Sequence, residues 1–244
     1  MPDKKNLVAH RGYRNFYPEN SLKAIEAAID CGAEYIEVDV QFSRDLVPFL
    51  YHDVSLKRIS GVNRIIMDCY AGELADYTAG EPGRFGDRFK DNPINSLAEL
   101  RPVIESNNHI TFFIEMKTES SERFGIERCL RGIAETLAEA LVRSVLISFD
   151  SAAVSAARKH GFRRTGIIAR SWRNRDALIH KCRADYLFIN HQRIPKGRDI
   201  RAACPVVLYE IAEQAKADAL LKRGASLIET FRIADMLGKT GKGR

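Results

Sequence analysis

Apolar and polar positions along this chain follow two rhythms that alternate with little interruption. Runs of period two, or of unbroken apolar character, occur at residues 6–10, 35–40, 110–116, 144–149, 165–169, 185–190, 205–210 and 226–229, and each predicts a short strand. Between them apolar residues recur at helical spacing: 21–32, 96–106, about 122–141, 151–160, 174–181, 197–203 and 212–223, with a last helical piece from about 232. In the first helix Asn20 or Ser21 stands where an N-cap is needed and Gly32 where the helix must end. Eight strands, each followed by helical sequence, predict a (β/α)8 TIM barrel, and 244 residues is close to the usual size of one such domain. A doubly wound open sheet is the alternative fold, but no GxGxxG follows the first strand. The rhythm fails once, over residues 53–95, which read as a small insertion after strand 2: either a cover over the strand ends or a long surface loop.

Polar residues inside two of the strands carry the chemistry. In YIEVDV the period of two places Tyr35, Glu37 and Asp39 on one face, with Ile36, Val38 and Val40 on the other. Burying two unpartnered carboxylates costs on the order of several kcal/mol, so a cation or ligand is expected beside them. TFFIEMK repeats the pattern and adds Glu115. Glu37, Asp39 and Glu115 form an all-oxygen set suited to one hard divalent ion, Mg²⁺ or Ca²⁺. An edge strand with one wet face would explain Glu37 and Asp39 alone, but not what surrounds them. His10 closes one apolar run and His52 another, as general acid and base work at an ester requires, while Arg11 and Lys117 add the fixed positive charge that holds a phosphate.

The motifs HRG (10–12), PENS (18–21), GAEYIEVDV (32–40), Asp45 at an expected turn, HD (52–53) and IEMK (114–117) resemble, in order and spacing, the glycerophosphodiester phosphodiesterase family. SLKRIS, AGEL, SLAEL, SFD and the closing GA…IET extend the resemblance along most of the chain. It implies a TIM-barrel enzyme with a metal at Glu37, Asp39 and Glu115, catalytic His10 and His52, phosphate-binding Arg11 and Lys117, and Glu19 and Asn20 orienting Arg11 and the first loop. The implied reaction cuts a small-molecule glycerophosphodiester to sn-glycerol 3-phosphate and an alcohol. Two departures touch the substrate rim. Trp-Thr-x-Asn, common at strand seven, is replaced by Leu208, Tyr209, Glu210 and Ile211, and Thr-Asp at strand eight by Glu229 and Thr230. Glu210 either favours a cationic or polyol group or caps a helix, and Trp172, after the fifth strand, either lines the pocket or covers the helix layer.

Composition narrows the alternatives. A formal charge of +6 with a pI near 9.1 invites nucleic acid, but the basic residues are spread through helices and no nucleic-acid motif appears. The five cysteines are scattered, without CxxC or a Cys/His cluster, and read as buried thiols of a cytoplasmic protein. No stretch approaches the ~20 apolar residues of a membrane span, and the N-terminus lacks a signal-peptide core. Rival readings are a lysophospholipase D or sphingomyelinase D-like enzyme, with Tyr77, Phe85 and Phe89 forming an apolar groove, and a non-catalytic phosphodiester-binding barrel.

Overall fold

Alternating side chains close the sheet on itself. The computed structural model describes residues 6–239. Its strands are β1 (Leu7–His10), β2 (Tyr35–Phe42), β3 (Pro48–Leu50), β4 (Thr111–Met116), β5 (Ser144–Ser148), β6 (Arg164–Ala169), β7 (Tyr186–Asn190), β8 (Val206–Tyr209) and β9 (Leu227–Thr230). β1 pairs in parallel with both β2 and β9, and the parallel ladder continues from β2 through β4 to β9, so eight strands form a ring. This is the (β/α)8 barrel that the periodicity predicts.

The two faces of each strand bury different things. Ile36, Val38, Phe112, Ile114, Leu146, Leu187 and Leu208 point outward and form one large core with the helices. Val8, Phe113, Val145, Ile168, Phe188 and Leu227 form a separate cluster inside the barrel. Phe113 is at its centre, stacked on Tyr35 at 6.0 Å and meeting Tyr186 and Phe188 edge-on at 5.2 and 4.9 Å. Gly166 is the space that these rings need: a Cβ there would lie 2.9 Å from Ile147 and 3.3 Å from Tyr186. The interior is therefore a packed apolar plug below a polar upper layer.

The first helix, Leu22–Asp30, starts where Ser21 accepts a hydrogen bond from the Ala24 amide, which settles the cap in favour of Ser21. The expected long helix at 122–141 is instead three pieces. Thr118–Phe124 starts directly after Lys117, Gly125 at φ 89° turns the chain, and Ile126–Leu137 ends in a 3₁₀ segment, Ala138–Arg143. The expected helix at 197–203 is absent. That segment is irregular, with Gly197 at φ 69°, and is tied down by Arg223, whose guanidinium donates to the Pro195 and Arg198 carbonyls. Ile200 within it is buried all the same.

β3 has no counterpart among the expected strands. β2 runs beyond the barrel rim to Phe42, turns through Ser43–Val47, and β3 returns antiparallel beside it, pairing Val40 with Leu50. The hairpin continues the chain so that the Tyr51 amide donates to the Asp39 carbonyl at 3.0 Å. Residues 53–95 then pack a second core around Leu56, Ile59, Ile66 and Leu74 against Phe49 and Tyr51 of this hairpin. The insertion is thus a packed extension of the hairpin.

Replacing Phe113 by Ala removes the centre of the interior plug. The expected cost is ~3–5 kcal/mol, read as a lower urea midpoint with an unchanged slope of the unfolding transition.

Candidate active site

Barrel register assembles the site. His10, the last residue of β1, lies opposite Glu37 of β2, and Asp39 of β2 lies opposite Glu115 of β4. The hairpin brings His52 over the same rim. Together with Arg11 and Lys117 these residues line or underlie a cavity of about 370 Å³, whose other wall is Phe149, Phe188, Asn190, Tyr209, Glu210 and Glu229. Beyond His52 the insertion contributes no lining to it.

Asp39 is fully buried and is the electrostatic centre. Its carboxylate lies 2.8 Å from Arg11 Nε and 3.3 Å from Lys117 Nζ, and it accepts a hydrogen bond from Asn20 Nδ2 at 2.9 Å. Burial opposes its charge, but Arg11 and Lys117 outweigh burial and hold it well below the usual carboxylate range. Asn20 also accepts from the Asp39 amide at 3.0 Å, so this one side chain fixes both ends of the aspartate. Lys117 donates in addition to Glu115 at 2.8 Å.

Glu37 has the opposite environment. One oxygen accepts from the Arg11 amide at 3.2 Å, and the other is buried without a hydrogen-bond partner. Burial, then Asp39, Glu229 and Glu115, push its pKa well above the ordinary value. Glu115 is raised as well, by burial against the pull of Lys117. Ligand atoms of Glu37, Asp39 and Glu115 lie within 4.8 Å of one another, as do those of His10, Glu37 and Glu229. The orphaned Glu37 oxygen, the like-charge crowding and the all-oxygen donor set fit a hard divalent cation at Glu37, Asp39 and Glu115.

His10 is buried, with Nε2 3.8 Å from Glu37 and Nδ1 3.2 Å from Glu210. Burial first, and Arg11 next, lower its pKa well below that of a free imidazole. His52 is about one-third exposed, and its Nδ1 lies 2.6 Å from Asp53, which Arg58 holds in turn at 2.7 Å. Glu19 is a buried hub for three arginines: Arg11 at 2.8 Å, Arg14 at 2.9 Å and Arg58 at 2.7 Å. Arg58 comes from the insertion, as does Glu81, which accepts from the Glu19 amide at 2.6 Å. The insertion therefore supports the first loop from outside the cavity.

The sequence itself matches a family. The model of the glycerophosphoryl diester phosphodiesterase family covers residues 10–230. The chain belongs to that family. A glycerophosphodiester phosphodiesterase of Caldanaerobacter subterraneus is 31% identical over 127 residues, 52% of this chain and 51% of that protein. Human glycerophosphodiester phosphodiesterase 1 is 32% identical over 116 residues, 47% of this chain and 34% of that protein. The matched stretches thus span from about a third to a half of these relatives. Among solved structures, an Oleispira antarctica phosphodiesterase in complex with the product sn-glycerol-3-phosphate superposes with a TM-score of 0.82 at 21% identity, covering 96% of each chain. A glycerophosphodiester phosphodiesterase from Agrobacterium tumefaciens gives 0.77 at 22% identity, over 96% of this chain and 99% of that one. At such identities the superpositions speak for the shared barrel.

The residues that carry the family motifs are thus brought together in one place: His10, Arg11, Glu37, Asp39, His52, Glu115 and Lys117 at the cavity, with Glu19 and Asn20 behind Arg11 and Asp39. Trp172 is not among them. Its ring packs against the outer core under the Arg175 guanidinium, 4.2 Å from the ring centre. Glu210 caps no helix, since the next one, Gln214–Lys222, has Glu213 at its N-cap. It is 43% exposed and faces His10, with Arg14 at 3.5 Å. Tyr77 packs on the second core, while Phe85 and Phe89 meet edge-on and Phe89 packs on Tyr17, so these rings form no open groove. Glu229, marked in the sequence only as a departure from Thr-Asp at the end of strand eight, is a further acid of the cavity. Its signal is the strand period: in LIET, Leu227 lies in the interior cluster, so Glu229 must face inward too.

Because Glu37 and Glu115 have folded pKa values above their unfolded ones, their ionisation costs stability at neutral pH, and this cost is relieved as pH falls through the folded values. Mg²⁺ or Ca²⁺ at about 100 times Kd is expected to stabilise the fold by ~2.7 kcal/mol. Differential scanning fluorimetry should show the rise in Tm to be larger at pH 7.5 than at pH 5, and largely lost in Glu37→Gln and Glu115→Gln.

Proposed function

We propose that this protein is a metal-dependent phosphoric diester hydrolase that cleaves glycerophosphodiesters to sn-glycerol 3-phosphate and an alcohol. The observation that carries the reading is the convergence of two histidines, three crowded carboxylates, Arg11 and Lys117 on one cavity, in a chain of this family. The Oleispira relative, which holds sn-glycerol-3-phosphate in the same fold, supports the product assignment.

One divalent ion, Mg²⁺ or Ca²⁺, held by Glu37, Asp39 and Glu115, would supply Lewis-acid polarisation of a nonbridging phosphate oxygen. Arg11 and Lys117 neutralise charge growing on the phosphate oxygens. Both are already fixed by carboxylates, so little reorganisation is required when substrate arrives. His10, kept neutral by burial, takes the proton of the attacking hydroxyl or attacks phosphorus itself. His52, with Nδ1 on Asp53, has its other ring nitrogen available to protonate the leaving alkoxide. An alkoxide is a poor leaving group at neutral pH, so this protonation removes a large part of the barrier. Five free cysteines suit a reducing compartment, and we place the enzyme in the cytoplasm; among the described residues no helix is long and apolar enough to cross a membrane.

The test is release of glycerol 3-phosphate from glycerophosphocholine. Chelator, His10→Ala and Glu37→Ala should each lower kcat by about 10²–10⁴-fold. His52→Ala should show a similar loss on glycerophosphocholine, but a loss at least about tenfold smaller on a nitrophenyl phosphodiester, whose aryloxide leaves without a proton. Metal-loaded, folded protein with no turnover of either ester would refute the reading.

A further inference from the structure

One wall of the cavity is unused by the chemistry proposed above. Glu229, near the end of β9, is only 3% exposed and lines the cavity, yet its carboxylate receives no hydrogen bond from the described residues. Buried carboxyl groups are nearly always paired, so one that opens onto a cavity without a protein partner is positioned for a ligand. Around it stand Phe188 on β7, Tyr209 on β8, and Asn190, whose side-chain oxygen already accepts from the Gln192 amide. This side of the cavity thus sets the aromatic faces of Phe188 and Tyr209 beside polar groups that can orient one small ligand.

Position relative to the two histidines says which part of a substrate lies here. Glu229 and His10 have ligand atoms within 4.8 Å of each other, whereas His52, which follows the β2–β3 hairpin, also borders a neighbouring pocket with Lys117, Thr118 and Phe149 that includes neither Glu229 nor His10. If His52 protonates the leaving alcohol, the alcohol retained on phosphorus lies on the His10 side, against Glu229. We infer that Glu229 is the receptor for the free hydroxyls of the retained glycerol, and that it selects deacylated glycerophosphodiesters over those whose glycerol carries an acyl chain. This rests on the phosphodiesterase reading and deepens it.

The chemistry is that of a carboxyl group facing a vicinal diol. An ionised carboxylate accepts from both hydroxyls, and a protonated one donates to one and accepts from the other. An acyl ester offers no donor at that position and would leave Glu229 unpaired in a buried site. Sites built around a substrate hydroxyl reject analogues lacking it far more strongly than apolar pockets reject an added methylene.

The experiment compares kcat/KM for glycerophosphocholine and lysophosphatidylcholine, which share a leaving group and differ only in the acyl chain, in the wild type, Glu229→Gln and Glu229→Leu. The wild type should favour glycerophosphocholine by at least about a hundredfold. That ratio should fall at least about tenfold in Glu229→Leu, and less in Glu229→Gln, which keeps a hydrogen-bonding group. As a measure independent of any variant, inhibition by sn-glycerol 3-phosphate should be at least about tenfold tighter than by its analogue lacking one hydroxyl. An unchanged ratio, or equal inhibition by the two phosphates, overturns the inference. So does loss of one bound Mg²⁺ or Ca²⁺ per chain in Glu229→Leu by atomic spectroscopy, which would assign Glu229, with His10 and Glu37, to a second metal. Absence of turnover on both substrates by the wild type would instead refute the phosphodiesterase reading itself.

Discussion

The carboxylate of Asp39, fully buried between Arg11 and Lys117, is the interaction on which the rest of the upper barrel depends. Acids on neighbouring strands repel, and a low-dielectric interior strengthens the repulsion. Two fixed cations make their convergence tolerable. The first loop is shaped to deliver one of them. Arg11, Gly12 and Asn20 all have positive φ, at 55°, 77° and 57°. At Gly12 even a methyl group would lie 2.5 Å from the Ala24 backbone, so the loop packs directly on the first helix and only glycine fits. Arg11 then bridges Asp39 and Glu19, and Glu19 gathers Arg14 and Arg58. Burial disfavours the Glu19 charge, but the three guanidinium groups, led by the Arg58 hydrogen bonds, hold its pKa below the ordinary value. The insertion thereby joins the site through charge rather than through contact with the cavity.

Much of this was legible because it follows from local periodicity. All eight barrel strands show in the alternation of apolar residues, and facing carboxylates in YIEVDV and TFFIEMK predict a shared cation before any topology is known. What escaped depends on partners distant in sequence. β3 is three residues long, and only its pairing with an overlong β2 makes it a strand. Residues 197–203 have helical spacing, but Gly197 and the carbonyl contacts of Arg223 favour an irregular path. Gly125 divides a pattern that otherwise reads as one helix. Trp172 follows a strand end as cavity residues do, but Arg175 and the outer core claim its ring.

The barrel separates two demands along its axis. Below, Phe113 and its aromatic neighbours fill the interior with rings and aliphatic side chains and supply packing energy. Above, four acids meet Arg11 and Lys117: Glu37, Asp39 and Glu229 are buried, and Glu115 is partly so. The apolar plug gives the fold the stability with which to hold this unfavourable layer in place, and it excludes water from beneath it, so each charge above acts at greater strength.

Within the acidic layer the protein satisfies its groups unequally, and the inequality is informative. Asp39 has three partners, and its charge is secured. Glu37 keeps one buried oxygen without a hydrogen-bond partner, His10 Nδ1 lies 3.2 Å from the half-exposed Glu210 without forming a hydrogen bond to it, and Glu229 faces the cavity with no hydrogen bond from the described residues. A fold selected for stability alone would pair these groups or replace them with hydrocarbon, since an unpaired buried polar atom costs roughly 1–3 kcal/mol. All three border the same space. The partners missing from the protein are therefore those that a bound cation and a hydroxyl-bearing phosphodiester can provide, and the cost these groups carry becomes part of the driving force for binding them.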